Sequence, residues 1–139
     1  MSNIVTFTRA LGDATRWRIV RLVMEEALCV CELADILDMP QSSVSSHVQI
    51  LRKAGLLESE KCEKWTYFRI DAPYLRLIHD LGRFFEGGTA DPGAGDARRA
   101  KLRLAERRES CCPGPKKLTS RKPGKSTTTT SKTKAKSKR

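Results

Sequence analysis

Residues 28–55, LCVCELADILDMPQSSVSSHVQILRKAG, decide how the chain folds. Leu33, Ile36 and Leu37 recur at helical spacing, so a helix is expected from near Cys31. It stops at Asp38-Met39-Pro40, because proline disfavours helical geometry in the residue before it. A second helix is expected from about Gln41 to Ala54, ended by Gly55. Val44, Val48 and Leu51 share its apolar side at i, i+4, i+7, while Ser42, Ser46, Gln49 and Lys53 lie opposite and Gln41, Ser45 and Arg52 flank them. Two short helices joined by a tight turn form a helix-turn-helix.

The outer face of the second helix is short, polar and uncharged near its start. Hydroxyls and amides there suit base edges and phosphates, and the competing reading is a serine-rich solvated face. The candidate DNA-facing residues are Gln41, Ser42, Ser43, Ser45, Ser46, His47, Gln49 and Lys53. His47 sits at the edge of the apolar side, which fits packing or a backbone contact better than metal ligation.

Upstream, residues 4–10 read as a short apolar lead, and Asp13 as the N-cap of a helix expected to reach about Glu26. Ile19, Leu22 and Val23 mark its buried face, with Trp17 and Met24 assigned to core or dimer packing. Downstream, Leu57–Lys61 and Trp65–Ile70 are strand-like runs separated by Cys62-Glu63-Lys64, with Thr66, Phe68 and Ile70 alternating onto one face. A hairpin after a helix-turn-helix makes a winged helix, whose tip offers Lys61 and Lys64 to phosphates. Asp71-Ala72-Pro73 then opens a helix striped by Tyr74, Leu77, Ile78, Leu81, Phe84 and Phe85 up to Gly87-Gly88. The simplest cover for so large an apolar stripe is the same helix of a second subunit. Ala97–Glu109 follows as a basic helical stretch carrying Leu102 and Leu104. The expected architecture is mainly α with a small β-hairpin, a dimeric winged helix-turn-helix over 1–88, a C-terminal helical extension with a cysteine pair over 89–112, and a disordered basic tail over 113–139.

That tail follows from composition. Leu118 and Ala135 are its only aliphatic residues, too little apolar surface to offset the entropy of ordering it. It also holds ten of the 27 Lys and Arg and none of the 16 acids, so the formal charge of +11 is almost wholly its property. A cationic arm binds polyanions by counterion release without reading sequence. No apolar run approaches the roughly 18 residues needed to cross a bilayer, and the N-terminus lacks a basic region followed by an apolar core. A cytoplasmic protein without membrane association is expected, with its five cysteines reduced.

Cys29 and Cys31 are two apart, and Cys111 and Cys112 are adjacent. Positions i and i+2 of a helix point about 200° apart, so Cys29 and Cys31 share one ion only if the chain there is extended or unwound. Cys29, between Leu28 and Val30, also reads as a small core hydrophobe. Cys111 and Cys112 stand in polar, basic surroundings that favour thiolates. Cys62 is a bystander at the wing tip. Thiolates without a second nearby histidine favour a soft acceptor, and neither spacing is the C-x-x-C of closed zinc sites or redox enzymes.

Leu11-Gly12-Asp13-Ala14-Thr15-Arg16, Cys29-Val30-Cys31-Glu32-Leu33, Ser43-Val44-Ser45-Ser46-His47-Val48 and Leu51-Arg52-Lys53-Ala54-Gly55-Leu56-Leu57 together resemble the ArsR/SmtB metalloregulators. The resemblance covers roughly residues 5–85. It implies a winged-helix homodimer, not an enzyme, that represses a promoter by binding double-stranded operator DNA and leaves it when a metal or metalloid binds. Cys-Val-Cys resembles the trivalent-arsenic branch, although Ala34 stands where that branch often has a third cysteine. Cys111 and Cys112 resemble the C-terminal cysteine pairs of other arsenic and antimony sensors. The zinc-sensing pattern is poorly met, since His79 and Asp80 lack a second set of ligands. The resemblance therefore implies trivalent arsenic or antimony as effector, bound by Cys29, Cys31, Cys111 and Cys112 without an organic cofactor. The alternative is a zinc, cadmium or thiol-redox sensing repressor of the same fold.

Overall fold

The computed structural model describes residues 3–86, 91–110 and 112–121. Its helices are α1 (Ile4–Leu11), α2 (Ala14–Leu22), α3 (Val30–Leu37), α4 (Gln41–Lys53), α5 (Leu75–Phe84) and α6 (Asp96–Ala105), and its strands are β1 (Leu28–Cys29), β2 (Leu57–Cys62) and β3 (Trp65–Ile70). Single 3₁₀ turns, Ala72–Tyr74 and Arg107–Glu109, precede α5 and follow α6.

The apolar lead over 4–10 is itself a helix, because Asn3 accepts the Thr6 N–H at 2.9 Å and caps it. Asp13 caps α2 as expected, through the Arg16 N–H at 3.1 Å. That helix ends at Leu22 and not near Glu26. The chain is needed elsewhere: the Val23 carbonyl accepts the Ile70 N–H at 2.9 Å, and Leu28 and Cys29 pair antiparallel with Phe68 and Tyr67. The expected hairpin is thus the larger part of a three-stranded sheet ordered β1-β3-β2. β2 and β3 pair from Leu57↔Ile70 to Cys62↔Trp65 around a turn in which Glu63 has a φ of 56°.

α3 begins one residue before Cys31 and ends where Asp38 turns left-handed. α4 follows Pro40, and Gly55, with a φ of 79°, turns the chain into β2. Val44, Val48 and Leu51 are fully buried, in one core with Ile19, Val20, Leu33, Ile36, Phe68 and Ile70. Trp17 and Met24 pack at the edge of this core. On α5 only Ile78 is buried, while Leu77, Phe84 and the C-capping Phe85 are exposed. Gly87 and Gly88 lie outside the described residues.

The solvated arm was expected from Pro113, yet residues 113–121 lie against the sheet. The reason is mainly polar: beside Leu118 packing on the small core of Ala27, Cys62 and Tyr67, the Glu60 carboxylate accepts the N–H groups of Lys116, Lys117 and Leu118 at 2.7, 2.6 and 2.9 Å, Arg69 donates to the Thr119 carbonyl at 2.7 Å, and Arg121 donates its N–H to the Glu25 carbonyl at 2.8 Å. Composition counts apolar surface and misses such captures.

Leu51, which joins α4 to this core, gives the direct stability test. Leu51→Ala is expected to lower unfolding free energy by about 3 kcal/mol, read as a shifted urea midpoint at unchanged slope.

Candidate thiol centre and nucleic-acid interface

The outer face of α4 carries Gln41, Ser42, Ser46, Gln49 and Lys53 exposed, with Ser43, Ser45 and His47 half-buried. The Ser46 hydroxyl donates to the Ser42 carbonyl at 3.0 Å, which keeps that side chain close to the helix. His47 is turned back toward the body: its Nδ1 lies 3.3 Å from Arg16 Nη1 and 3.9 Å from the Asp13 carboxylate. Arg16 also donates through Nε to the Ala10 carbonyl at 2.6 Å, so α4 is tied to the corner between α1 and α2. Lys61 and Lys64 are exposed at the end of the hairpin, with Lys64 Nζ 5.0 Å from the Trp65 ring centroid. Helix face and hairpin tip are the two surfaces a winged helix presents to a duplex.

The awkward spacing of Cys29 and Cys31 is resolved by where α3 starts. Cys29 is the last residue of β1 and the N-cap of α3, extended at φ −89° and ψ 168°, whereas Cys31 is already helical. The i, i+2 geometry of a continuous helix does not apply across that junction. The third sulfur comes from the C-terminal extension: the Sγ atoms of Cys29, Cys31 and Cys112 all lie within 4.8 Å of one another. Cys29 and Cys112 are buried with their sulfurs 3.5 Å apart, and Cys31 is half-buried. An ion holding sulfurs tetrahedrally at about 2.3 Å spaces them by about 3.8 Å, so the trio needs little adjustment to close on one centre. Cys111 lies outside the described residues.

Cys62, expected as a bystander at the wing tip, is buried with Ala27, Cys29, Tyr67 and Cys112 in a second small core. Its ladder position opposite Trp65 keeps it inside the sheet, and only Glu63 and Lys64 form the turn.

Among the described residues, four ion pairs bind the extension and the segment that follows it. Arg18 grips Asp96 with two bonds of 2.9 Å, Arg103 reaches Asp35 at 2.8 Å, and Arg107 grips Glu32 with two bonds of 2.8 Å. Arg121 adds Glu58 at 3.1 Å. Glu32 is fully buried, and its Oε1 also accepts the Cys29 N–H at 3.2 Å, so one carboxylate serves both the start of α3 and the extension. Arg107 further donates to the Ala27 carbonyl at 2.8 Å, and its guanidinium sits 5.5 Å from the Tyr67 ring centroid. Arg103 Nη2 lies 3.9 Å from Cys112 Sγ, and its Nη1 is buried with no hydrogen-bond partner among the described residues.

Burial pushes the Cys29 thiol far above the usual cysteine range, reinforced by the Glu32 carboxylate and the Cys112 sulfur and opposed by the Glu32 N–H. Burial likewise pushes Tyr67 up to about 12. Cys29 therefore rests as a thiol, and an acceptor must form a bond strong enough to displace its proton. Soft, thiophilic acceptors do this and hard cations do not.

Arg103, Arg107 and Tyr67 went unread in the sequence. The readable trace was local: Cys29 and Glu32 have the three-residue spacing of a capping pair, and Arg103 and Arg107 stand one helical turn apart. Nothing in either spacing says that the two pairs meet.

Residues 13–59 match a family described as bacterial regulatory protein, arsR family. The chain is 36% identical over 85 residues to the cadmium resistance transcriptional regulatory protein CadC of Listeria innocua, covering 60% of this chain and 71% of that one. It is 43% identical over 68 residues to the arsenical resistance operon repressor of Escherichia coli K12, covering 48% and 57% respectively. Among solved structures, the antimony-specific transcriptional repressor AntR superposes with a TM-score of 0.51 at 28% identity, over 59% of this chain and 75% of that one. No helix among the described residues is long and apolar enough to cross a membrane.

The buried pair under the cluster has a measurable weight. Arg107→Met strands the Glu32 carboxylate and is expected to cost roughly 3 kcal/mol, most of which returns in Arg107→Met/Glu32→Leu, compared by thermal or urea unfolding.

Proposed function

We propose, since the chain belongs to the ArsR family of winged-helix transcriptional regulators and is not an enzyme, that it is a metalloid-responsive repressor. It binds double-stranded operator DNA as a homodimer and is released when trivalent arsenic or antimony binds the thiolates of Cys29, Cys31 and Cys112. The observation that carries this reading is the convergence within 4.8 Å of the Cys29 and Cys31 sulfurs with that of the distant Cys112. Three thiolates complete a pyramidal trivalent centre, whereas closed zinc sites take four ligands. In the reaction, arsenous acid exchanges its three hydroxyls for three sulfurs, each thiol proton leaves in a water molecule, and no oxidation state changes. Cys111, next in sequence to Cys112, is proposed as the alternative donor of the third sulfur. No organic cofactor is involved.

The DNA surface in this reading is Gln41, Ser42, Ser43, Ser45, Ser46, Gln49 and Lys53 of α4, with Lys61 and Lys64 of the wing on flanking phosphates and His47 seating the helix. Release follows from position. The thiol site closes on the start of α3, the helix that packs on α4, and on the extension. A centre that prefers one arrangement of these parts weakens the DNA-competent one, and DNA weakens the metalloid by the same factor, typically between about 5- and 150-fold. The exposed Leu77, Phe84 and Phe85 of α5, together with Ile4 and Val5 of α1, are the proposed dimer surface. The basic tail adds sequence-independent affinity for the phosphate backbone.

A second reading, a zinc or cadmium sensor, is supported by the identity to CadC and by Cys62 sharing the small core with two of the thiols. A thiol-redox version rests on the 3.5 Å contact between Cys29 and Cys112.

The test is release of the full chain from DNA upstream of its own gene. Arsenite is expected to displace the wild type. Serine at Cys29, Cys31 or Cys112 should leave DNA binding intact and raise the arsenite needed by at least about tenfold. Retained response with Cys29, Cys31, Cys111 and Cys112 all replaced would sink the reading. Response to cadmium or peroxide but not arsenite would move it to the second. For the dimer, Leu77→Glu/Phe84→Glu should give a monomer in sedimentation and lose at least about tenfold in DNA affinity, since two half-sites are no longer engaged together.

A further inference from the structure

Cys112 is the member of the trio that stands outside the winged-helix body, so whatever holds it decides whether the site exists before its ligand arrives. Two anchors flank it. Five residues upstream, Arg107 is locked to the buried Glu32 by two bonds of 2.8 Å. Two residues downstream, the Gly114 N–H donates to the Tyr67 hydroxyl at 2.8 Å. Gly114 has a φ of +87°, and a Cβ there would stand 3.2 Å from Arg107 Cδ, so this close passage requires glycine. Tyr67 joins the anchors: it is fully buried, its ring lies under the Arg107 guanidinium, and on β3 it pairs directly with Cys29. One side chain thus touches the residues on both sides of Cys112 and belongs to the strand that fixes the opposing thiol.

We infer that Tyr67, with Arg107 and Gly114, positions the Cys112 thiol opposite Cys29 and Cys31, so that the three-thiol site is preformed. The inference rests on the reading of Cys112 as the third ligand and adds the residues that make it available. Tyr67 is a positioning residue, since its hydroxyl holds the main chain and supplies no ligand. Without that hydroxyl the Gly114 N–H loses its acceptor, and Cys112 sits in a longer loop held by Arg107 upstream and by the Glu60 capture of Lys116, Lys117 and Leu118 downstream. The metalloid must then order that loop as it binds, and affinity falls.

Two probes separate positioning from general stability. Arsenite takes three thiols, whereas phenylarsine oxide takes two, exchanging its oxo group for two sulfurs with loss of one water, and Cys29 and Cys31 suffice for it. In the full chain, Tyr67→Phe and Gly114→Ala are expected to weaken arsenite about tenfold, followed by thiolate–arsenic absorbance in the near ultraviolet, and to leave phenylarsine oxide within about twofold. Affinity of the metalloid-free protein for its promoter fragment should also stay within about twofold. In a Cys112→Ser background, Tyr67→Phe should add nothing, because its effect passes through that thiol. Equal weakening of both probes, no weakening of arsenite, or a further loss in the Cys112→Ser background would each overturn the positioning role. If Cys112→Ser binds arsenite as tightly as the wild type, the third-ligand reading itself fails and the positioning role falls with it. If Cys112→Ser weakens arsenite and Tyr67→Phe does not, only the positioning role is lost.

Discussion

The bidentate bond between Arg107 and the buried Glu32 is the constraint on which the rest of the site depends. A carboxylate removed from water is costly unless its lone pairs are used, and here the Arg107 guanidinium and the Cys29 N–H use them. An apolar pair of similar volume would bind the extension as well or better. It would not set the extension's register along α3, because apolar contacts slide and a forked pair of hydrogen bonds does not. Register is what the sulfurs need: a displacement of one residue along the extension carries Cys112 out of reach of Cys29.

In the proposed repressor, the same junction links a chemical event at three sulfurs to a helix face. Cys29 ends β1 and caps α3, α3 packs on α4, and β1 pairs with β3 of the hairpin. The thiols therefore sit where the sheet, the first helix of the helix-turn-helix and the C-terminal extension meet. Distance from Cys29 to the outer face of α4 is bridged by packed aliphatic side chains, Leu33 and Ile36 against Val44, Val48 and Leu51, which transmit displacement because they leave no slack.

Three departures from expectation share one cause. α2 is shorter than its apolar period, the sheet has a third strand, and residues 113–121 are packed despite a composition suited to solvent. Each reflects a hydrogen bond to a distant partner: Val23 to Ile70, Cys29 against Tyr67, Glu60 to Lys116, Lys117 and Leu118. Periodicity and composition describe neighbours within about one helical turn or two strand positions, and they carry no record of such pairings.

Read alone, the amino-acid sequence determined the order of helices and hairpin, the buried face of α4 and its polar opposite, the stop at Pro40 and turn at Gly55, and the presence of thiols at two places. Those follow from local rules, because side-chain period, capping and backbone restriction act within a few residues. Only the tertiary structure decided that Cys29 and Cys31 converge and that Cys112 completes them. Cys29 and Cys112 are 83 positions apart and share no pattern; an extended N-cap, a buried ion pair and one left-handed glycine bring their sulfurs to 3.5 Å. A cluster assembled from two distant chain segments is a property of how those segments pack, and packing is settled by the whole core at once.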